Sequence, residues 1–128
     1  MRVLLDTHLL LWAAAGSARL SAAARGMIED EANELLFSVA SIWEVAIKAG
    51  LGREDFRVDP RALRAGLLAE GYVELAISGA HVVAVDGLPA LHRDPFDRLL
   101  VAQAMVEDVV LVSGDPVVGR YSGVVRVV

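Results

Sequence analysis

Apolar residues come in short, nearly unbroken runs separated by stretches with helical spacing. Five runs of strand length are rich in Val, Leu or Ile: residues 2–5, 35–39, 73–77, 109–113 and 124–128. Near-continuous apolar strands alternating with amphipathic helices predict an α/β fold, a central five-stranded parallel sheet with helices on both faces. Ser21 before an Ala-rich stretch is a helix start, and Asp59-Pro60 supplies an N-cap followed by proline at the first helical position. Asp94-Pro95 and Asp115-Pro116 repeat that signal, while Gly50 and Gly71 stand where preceding helices should stop. No helix is expected after the last strand. Without repeats, low-complexity tracts or long linkers, residues 1–128 read as one domain.

Composition narrows the chemistry. A hydrophobic content of 55% fills one core without disulfides, and the absence of cysteine leaves only oxygen and imidazole as metal ligands. It also suits a reducing cytoplasm. The apolar run 9–15 is far too short to span a bilayer and reads as buried helix, so no membrane association is expected. A net charge of −5, from 17 acidic and 12 basic residues, argues against a protein that grips nucleic acid chiefly through phosphate contacts. Lys48 is the sole lysine; the other basic residues are arginine, the better bidentate phosphate ligand.

In open α/β sheets, ligands bind beyond the carboxyl ends of the strands, near the point where strand order reverses. Asp6 follows the first predicted strand directly, Glu44 falls in the first turn after the second, and Asp115 lies two residues past the fourth. Asp97 joins them from the start of a predicted helix over 96–107. Two carboxylates about 5 Å apart repel by roughly 3 kcal/mol at an effective dielectric near 20, so four in one cleft call for a cation. Hard oxygen ligands favour Mg²⁺, or Mn²⁺, which can activate a water against a phosphodiester.

Each acid also has a plainer reading. Ser41-Ile42-Trp43-Glu44 fits a capping box, Asp94 and Asp115 fit N-caps, Asp97 could favour a helix N-terminus through its dipole, and Asp59 is a cap alone. Asp6 fits such readings least, because an acid ending an apolar strand gains little from sheet packing. His8, His81 and His92 are scattered singly and read as structural or surface residues. Trp12 and Trp43 read as core, and Arg61 to Arg64 as a solvated helix face.

At these same positions the sequence resembles a VapC-type PIN domain. The blocks that carry the resemblance are Leu4-Leu5-Asp6-Thr7-His8, the stretch from Ser38 through Ser41-Ile42-Trp43-Glu44 to Lys48, His92-Arg93-Asp94-Pro95-Phe96-Asp97-Arg98, and Leu111-Val112-Ser113-Gly114-Asp115. Four blocks in this order over nearly the whole chain make the match specific. The resemblance implies a PIN fold and a Mg²⁺- or Mn²⁺-dependent endoribonuclease, the toxin of a VapBC-type toxin–antitoxin pair. Its catalytic acids would be Asp6, Glu44, Asp97 and Asp115. In the mechanism expected here, Asp6 and Asp97 are the main metal ligands, and Glu44 and Asp115 hold waters or a second, weaker ion. Thr7 and Ser113 would support the acids by hydrogen bonding. Arg93 and Arg98 are candidate contacts to RNA phosphates, with pairing to Asp94 as the alternative. Implied partners are an RNA substrate, a VapB-like antitoxin and a second copy of the chain.

Two other functions share parts of this pattern. A phosphotransfer domain also places aspartates at strand ends, but a haloacid-dehalogenase-like site wants an acid where His8 stands. A receiver-like site wants an acid after the third strand, where the chain reads Ile77-Ser78-Gly79. A catalytically silent PIN-like binding protein would keep the acids only as caps, and metal-dependent stabilisation distinguishes it.

Overall fold

Strand β1 (Arg2–Leu5) is all apolar after its first residue, and its alternate side chains enter two separate cores. Val3 and Leu5 pack on one face with Leu9, Leu10, Phe37, Leu63 and Val112. Leu4 packs on the other with Leu36, Leu100, Leu111 and Tyr121. A strand that is buried on both faces must sit in the middle of a sheet, and β1 does. In this computed structural model, which describes residues 1–121 and 123–128, β1 pairs in parallel with both β2 (Glu34–Ser38) and β4 (Val110–Ser113). With β3 (Val73–Leu75) and β5 (Val125–Val127) at the edges, the order is β3-β2-β1-β4-β5, all parallel. This is the predicted α/β architecture.

Helices cover both faces. Residues of α1 (Thr7–Ala15), α2 (Ala22–Glu29) and α4 (Pro60–Ala69) line the core of Val3 and Leu5, while α5 (Gly79–Asp86) and α6 (Pro95–Glu107) line that of Leu4. Helix α3 (Val39–Gly50) gives Ala40 to one core and Val45 to the other. The starts of α2 and α4 are as expected: the side chain of Ser21 accepts from the Ala24 N–H, and that of Asp59 from Arg61 with Pro60 in the first turn. Gly71 follows α4 at φ 89°, a conformation that favours glycine.

Several boundaries differ from expectation for local reasons. Val39 is the first helical residue rather than the last of its strand, because the Ser38 hydroxyl caps α3 at Ala40. The left-handed residue after α3 is Gly52, at φ 68°, rather than Gly50. Asp115-Pro116 opens only a 3-10 turn, Val118–Arg120, since the chain must return to the sheet as β5 by Val125. Helix α1 is buried at Leu9 and Leu10, but Ala14 and Ala15 reach solvent. Trp12 is half-buried, and Trp43, expected in the core, is 55% exposed with its ring edge-on to Phe96 at 4.9 Å between centroids. Trp43 lies on the outer side of α3, whose buried positions are Ala40, Ser41, Glu44 and Val45.

Strand order reverses at β1, since β2 lies on one side of it and β4 on the other. The crevice beyond the carboxyl ends of β1 and β4 is therefore where a ligand belongs in such a sheet. Asp6 and Asp115 follow these two strands.

Candidate active site

The chain leaves β1 and enters α1 with one residue between, and that residue is Asp6. Its Oδ1 accepts from the Leu9 N–H at 2.9 Å, so Asp6 is an N-cap as well as a strand-end acid. The plainer reading thus applies to it after all. Oδ2 accepts from the Ser113 hydroxyl at 2.5 Å, and the same hydroxyl accepts from the Asp115 N–H at 3.0 Å. Ser113, wholly buried at the end of β4, thereby ties two acids of adjacent strands together. Asp6 is only 3% exposed. Burial pushes its carboxyl up, and the nearby Asp115 charge adds to this, against the bonds from Ser113 and Leu9 that favour the ionised form.

Asp97 enters from α6. Asp94 caps that helix, with Oδ1 accepting from Phe96 at 2.8 Å and Asp97 at 3.2 Å, and Pro95 occupies the first turn. Asp97 is thus held in the first turn of α6, where the positive end of the helix dipole favours an acid. Burial, then the charges of Asp94, Asp6 and Glu44, raise its carboxyl to about 7, although His92 opposes them. Three acids from separate parts of the chain therefore act on a fourth.

Glu44 does not form the capping box. Ser38 caps α3, which leaves Ser41 in the first turn and Glu44 in the second, one turn later than expected. Its carboxylate is buried and pairs with Lys48 at 2.9 Å across one helical turn. The sole lysine of the chain is thus committed to an acid of the site. Asp115 is more open: desolvation raises its carboxyl, but bonds from the Val117 N–H and from His92 outweigh this and hold it below the usual range.

His92 was not expected here. Its Nε2 lies 3.1 Å from Asp115 Oδ2 and 3.3 Å from Asp97 Oδ2. One ligand atom from each of His92, Asp97 and Asp115 falls within a mutual 4.8 Å. Only the sequence neighbourhood of Asp94 and Asp97 could have pointed to it. His81 is structural, as expected: it closes a capping box with Ser78 and joins a buried network with Gln103 and Glu107. His8 is exposed, its ring 5.9 Å from that of Trp12.

Two supporting roles are corrected. The Thr7 hydroxyl donates to Ser41 at 2.9 Å, joining α1 to α3 rather than touching an acid. Arg98 donates to the carbonyls of Val85, Leu88 and Pro89 and to the Tyr121 hydroxyl, so its guanidinium is committed to the end of α5 and the loop after it rather than free for a phosphate. Arg93 is exposed and has no hydrogen bond or ion pair among the described residues, and the Asp94 carboxylate turns to its own helix. The pairing of Arg93 or Arg98 with Asp94 is absent among the described residues.

Asp6, His8, Trp12, Gly114 and Asp115 line an open hollow of about 230 Å³ at this edge. A larger one, about 520 Å³, lies between α1, α2 and α4 and is lined by apolar groups such as Leu63 and Leu67, with Glu70 its one acid. Chemistry concentrates at the smaller hollow. Asp6 and Asp115 line it, and Asp97 and Glu44, outside its lining, add two more carboxylates close enough for the charges of Asp6 and Glu44 to act on Asp97. Asp6, Glu44, Asp97 and Asp115 therefore fit a hard divalent cation.

Comparison with known proteins agrees with this fold. The family model for the PIN domain matches residues 3–124. No curated protein matches the sequence significantly. Among solved structures, the chain is similar to VapBC2 from Rickettsia felis, bound to a DNA fragment from its promoter, with a TM-score of 0.67, 13% identity and 98% of each chain covered. It is also similar to VapBC-1 from nontypeable Haemophilus influenzae, with a TM-score of 0.62, 18% identity, and 94% of this chain and 92% of that one covered. A domain of a functionally unknown protein from Methanocaldococcus jannaschii gives 0.58 at 13% identity, covering 99% and 90%. At these identities the structures establish a shared fold, and the family match spans almost the whole sequence: the chain belongs to the PIN domain family.

Proposed function

We propose that this protein is a divalent-metal-dependent endoribonuclease and the toxin of a VapBC-type pair. The observation that carries the reading is the convergence of Asp6, Asp97 and Asp115 at the point of strand reversal, with Glu44 close enough for its charge to act on Asp97. Caps alone do not require this. Asp94 already caps α6 by accepting from the Phe96 and Asp97 N–H groups, so the cap needs no second acid at Asp97. Family membership and the fold shared with two VapBC structures support the nuclease reading.

A bound Mg²⁺ or Mn²⁺ would supply the positive charge that activates water and offsets charge on a phosphodiester. The chain's own residues divide the remaining work. Asp6 and Asp97 would be the main ligands, and Glu44 and Asp115 would orient waters beside them or hold a second, weaker ion. Ser113 holds the Asp6 carboxylate in place, and Asp94 fixes the start of the helix that carries Asp97. RNA is the substrate, and of the two arginines next to Asp94 and Asp97 in sequence, the exposed Arg93 is the one left to meet its phosphates. The surrounding acids suit a partner that neutralises them, and a VapB-like antitoxin placing an arginine in the crevice does so. The toxin acts as a homodimer in the cytoplasm. No helix of the described residues is long and apolar enough to cross a membrane.

The test is cleavage of a panel of single-stranded and structured RNAs by purified protein with Mg²⁺, with Mn²⁺ and with EDTA, beside Asp6→Asn. Cutting that needs the metal and disappears in the folded variant is expected. Cutting that persists in EDTA, or in Asp6→Asn, would refute the metal site; no cutting of any RNA would favour a silent binding protein.

A further inference from the structure

We propose that His92 is a fixed hydrogen-bond donor that positions the Asp97 and Asp115 carboxylates for the cation, and is not itself a ligand. The inference rests on the cation site proposed above. Proximity alone suggests the opposite, since the three side chains offer ligand atoms within 4.8 Å of one another. The second ring nitrogen decides against it.

Nδ1 of His92 accepts a hydrogen bond from the Asp94 N–H at 2.9 Å. A nitrogen that accepts there carries no proton, so the ring proton belongs on Nε2. Nε2 is the atom that faces the acids, 3.1 Å from Asp115 and 3.3 Å from Asp97. To ligate a metal, Nε2 would have to give up its proton, and moving that proton to Nδ1 would set it against the Asp94 N–H. A ligating histidine ordinarily donates from its other nitrogen to a carbonyl or carboxylate. His92 has the reverse arrangement.

The Asp94 N–H has little freedom to turn aside. Asp94 is the N-cap of α6, its carboxylate is bonded to two amides of the first turn, and Pro95 follows. His92 is held from its other side too, its own N–H donating to the Tyr121 hydroxyl at 3.1 Å, which also accepts from Arg98. The contacts made by Arg98 and Tyr121 thus bear on the ring that faces the acids. With Nε2–H between them, two like-charged carboxylates from α6 and from the loop after β4 share one donor. An all-oxygen ligand set then favours Mg²⁺ or Mn²⁺ over metals that prefer imidazole.

The experiment reads the imidazole tautomer directly, by long-range ¹H–¹⁵N correlation on the whole protein, first with EDTA and then with Mg²⁺. The expected result is a protonated Nε2 and a bare Nδ1 in both conditions. A proton on Nδ1 in EDTA, or loss of the Nε2 proton when Mg²⁺ is added, would overturn the proposal. In parallel, Mg²⁺ affinity is measured by calorimetry for wild type, His92→Gln and His92→Leu. Gln, which keeps an N–H donor, should bind within a few-fold of wild type, and Leu about tenfold or more weaker, in the range for loss of a group that orients metal ligands. Equal binding by the Leu variant would overturn the positioning role. If wild type binds no Mg²⁺ at all, the cation reading itself fails, and the tautomer in EDTA still decides whether His92 is a donor.

Discussion

Replacing Asp97 by Asn should make the metal-free protein more stable at alkaline pH and change its stability little in acid. Asp97 titrates at about 7 in the fold, against an ordinary 3.8, chiefly because burial and then Asp94 disfavour its charge. Between these values the folded chain keeps a proton that the unfolded chain has released, so wild-type stability falls as pH rises from about 4 to about 7 and is level above that. At about 1.4 kcal/mol per pKa unit, the full difference is about 4 kcal/mol. The side chain is 21% exposed, and screening by that water reduces the effect to about 3 kcal/mol. Asn is near in shape to the protonated acid and carries no charge to lose. Urea unfolding of both proteins in EDTA at about pH 4 and about pH 8 gives the comparison, and the contribution of Asp6 largely cancels between them. A wild-type-minus-variant difference that does not change with pH, or a variant that loses stability relative to wild type at alkaline pH, would refute the reasoning.

Other perturbations separate the scaffold from the site. Ser113→Ala removes the hydroxyl that bridges Asp6 and the Asp115 N–H, and should cost about 1–3 kcal/mol in urea unfolding. Asp94→Ala should lower stability by about 0.5–2 kcal/mol through loss of the α6 cap, and should weaken Mg²⁺ binding by calorimetry because Asp97 loses its anchor. Arg98→Ala strips partners from the carbonyls at the end of α5, so it should lower the melting temperature while leaving the salt dependence of RNA binding unchanged. Arg93→Ala should do the reverse, shallowing the salt dependence with no change in melting temperature.

The sheet was legible because its strands are buried on both faces and read as continuous apolar runs. The four acids were legible as candidates because each stands shortly after a strand end or at a helix start, where local patterns are strong. What the local pattern could not resolve is which hydrogen bond each polar group makes. Asp6 looked unlike a cap, yet no loop separates β1 from α1, and the residue between them caps by default. Glu44 looked like a capping-box partner, yet Ser38 starts the helix three residues earlier than Ser41. Arg98 and Thr7 sit beside acids in sequence but find their partners in α5 and α3, contacts set by tertiary packing. His92 could not be placed because its ring meets Asp115, which lies 23 residues further on. Trp43 was read inward from helical spacing alone, which cannot say which side of α3 faces the core.

The account stands most directly on whether the carboxylates hold a divalent cation. Mn²⁺ binding at about pH 8, above the value of about 7 to which Asp97 is raised, can be counted by electron paramagnetic resonance for wild type, Asp6→Asn and Asp97→Asn. The account predicts a tight site in wild type that both folded variants lose. Binding of equal strength in all three would place the cation elsewhere and contradict it.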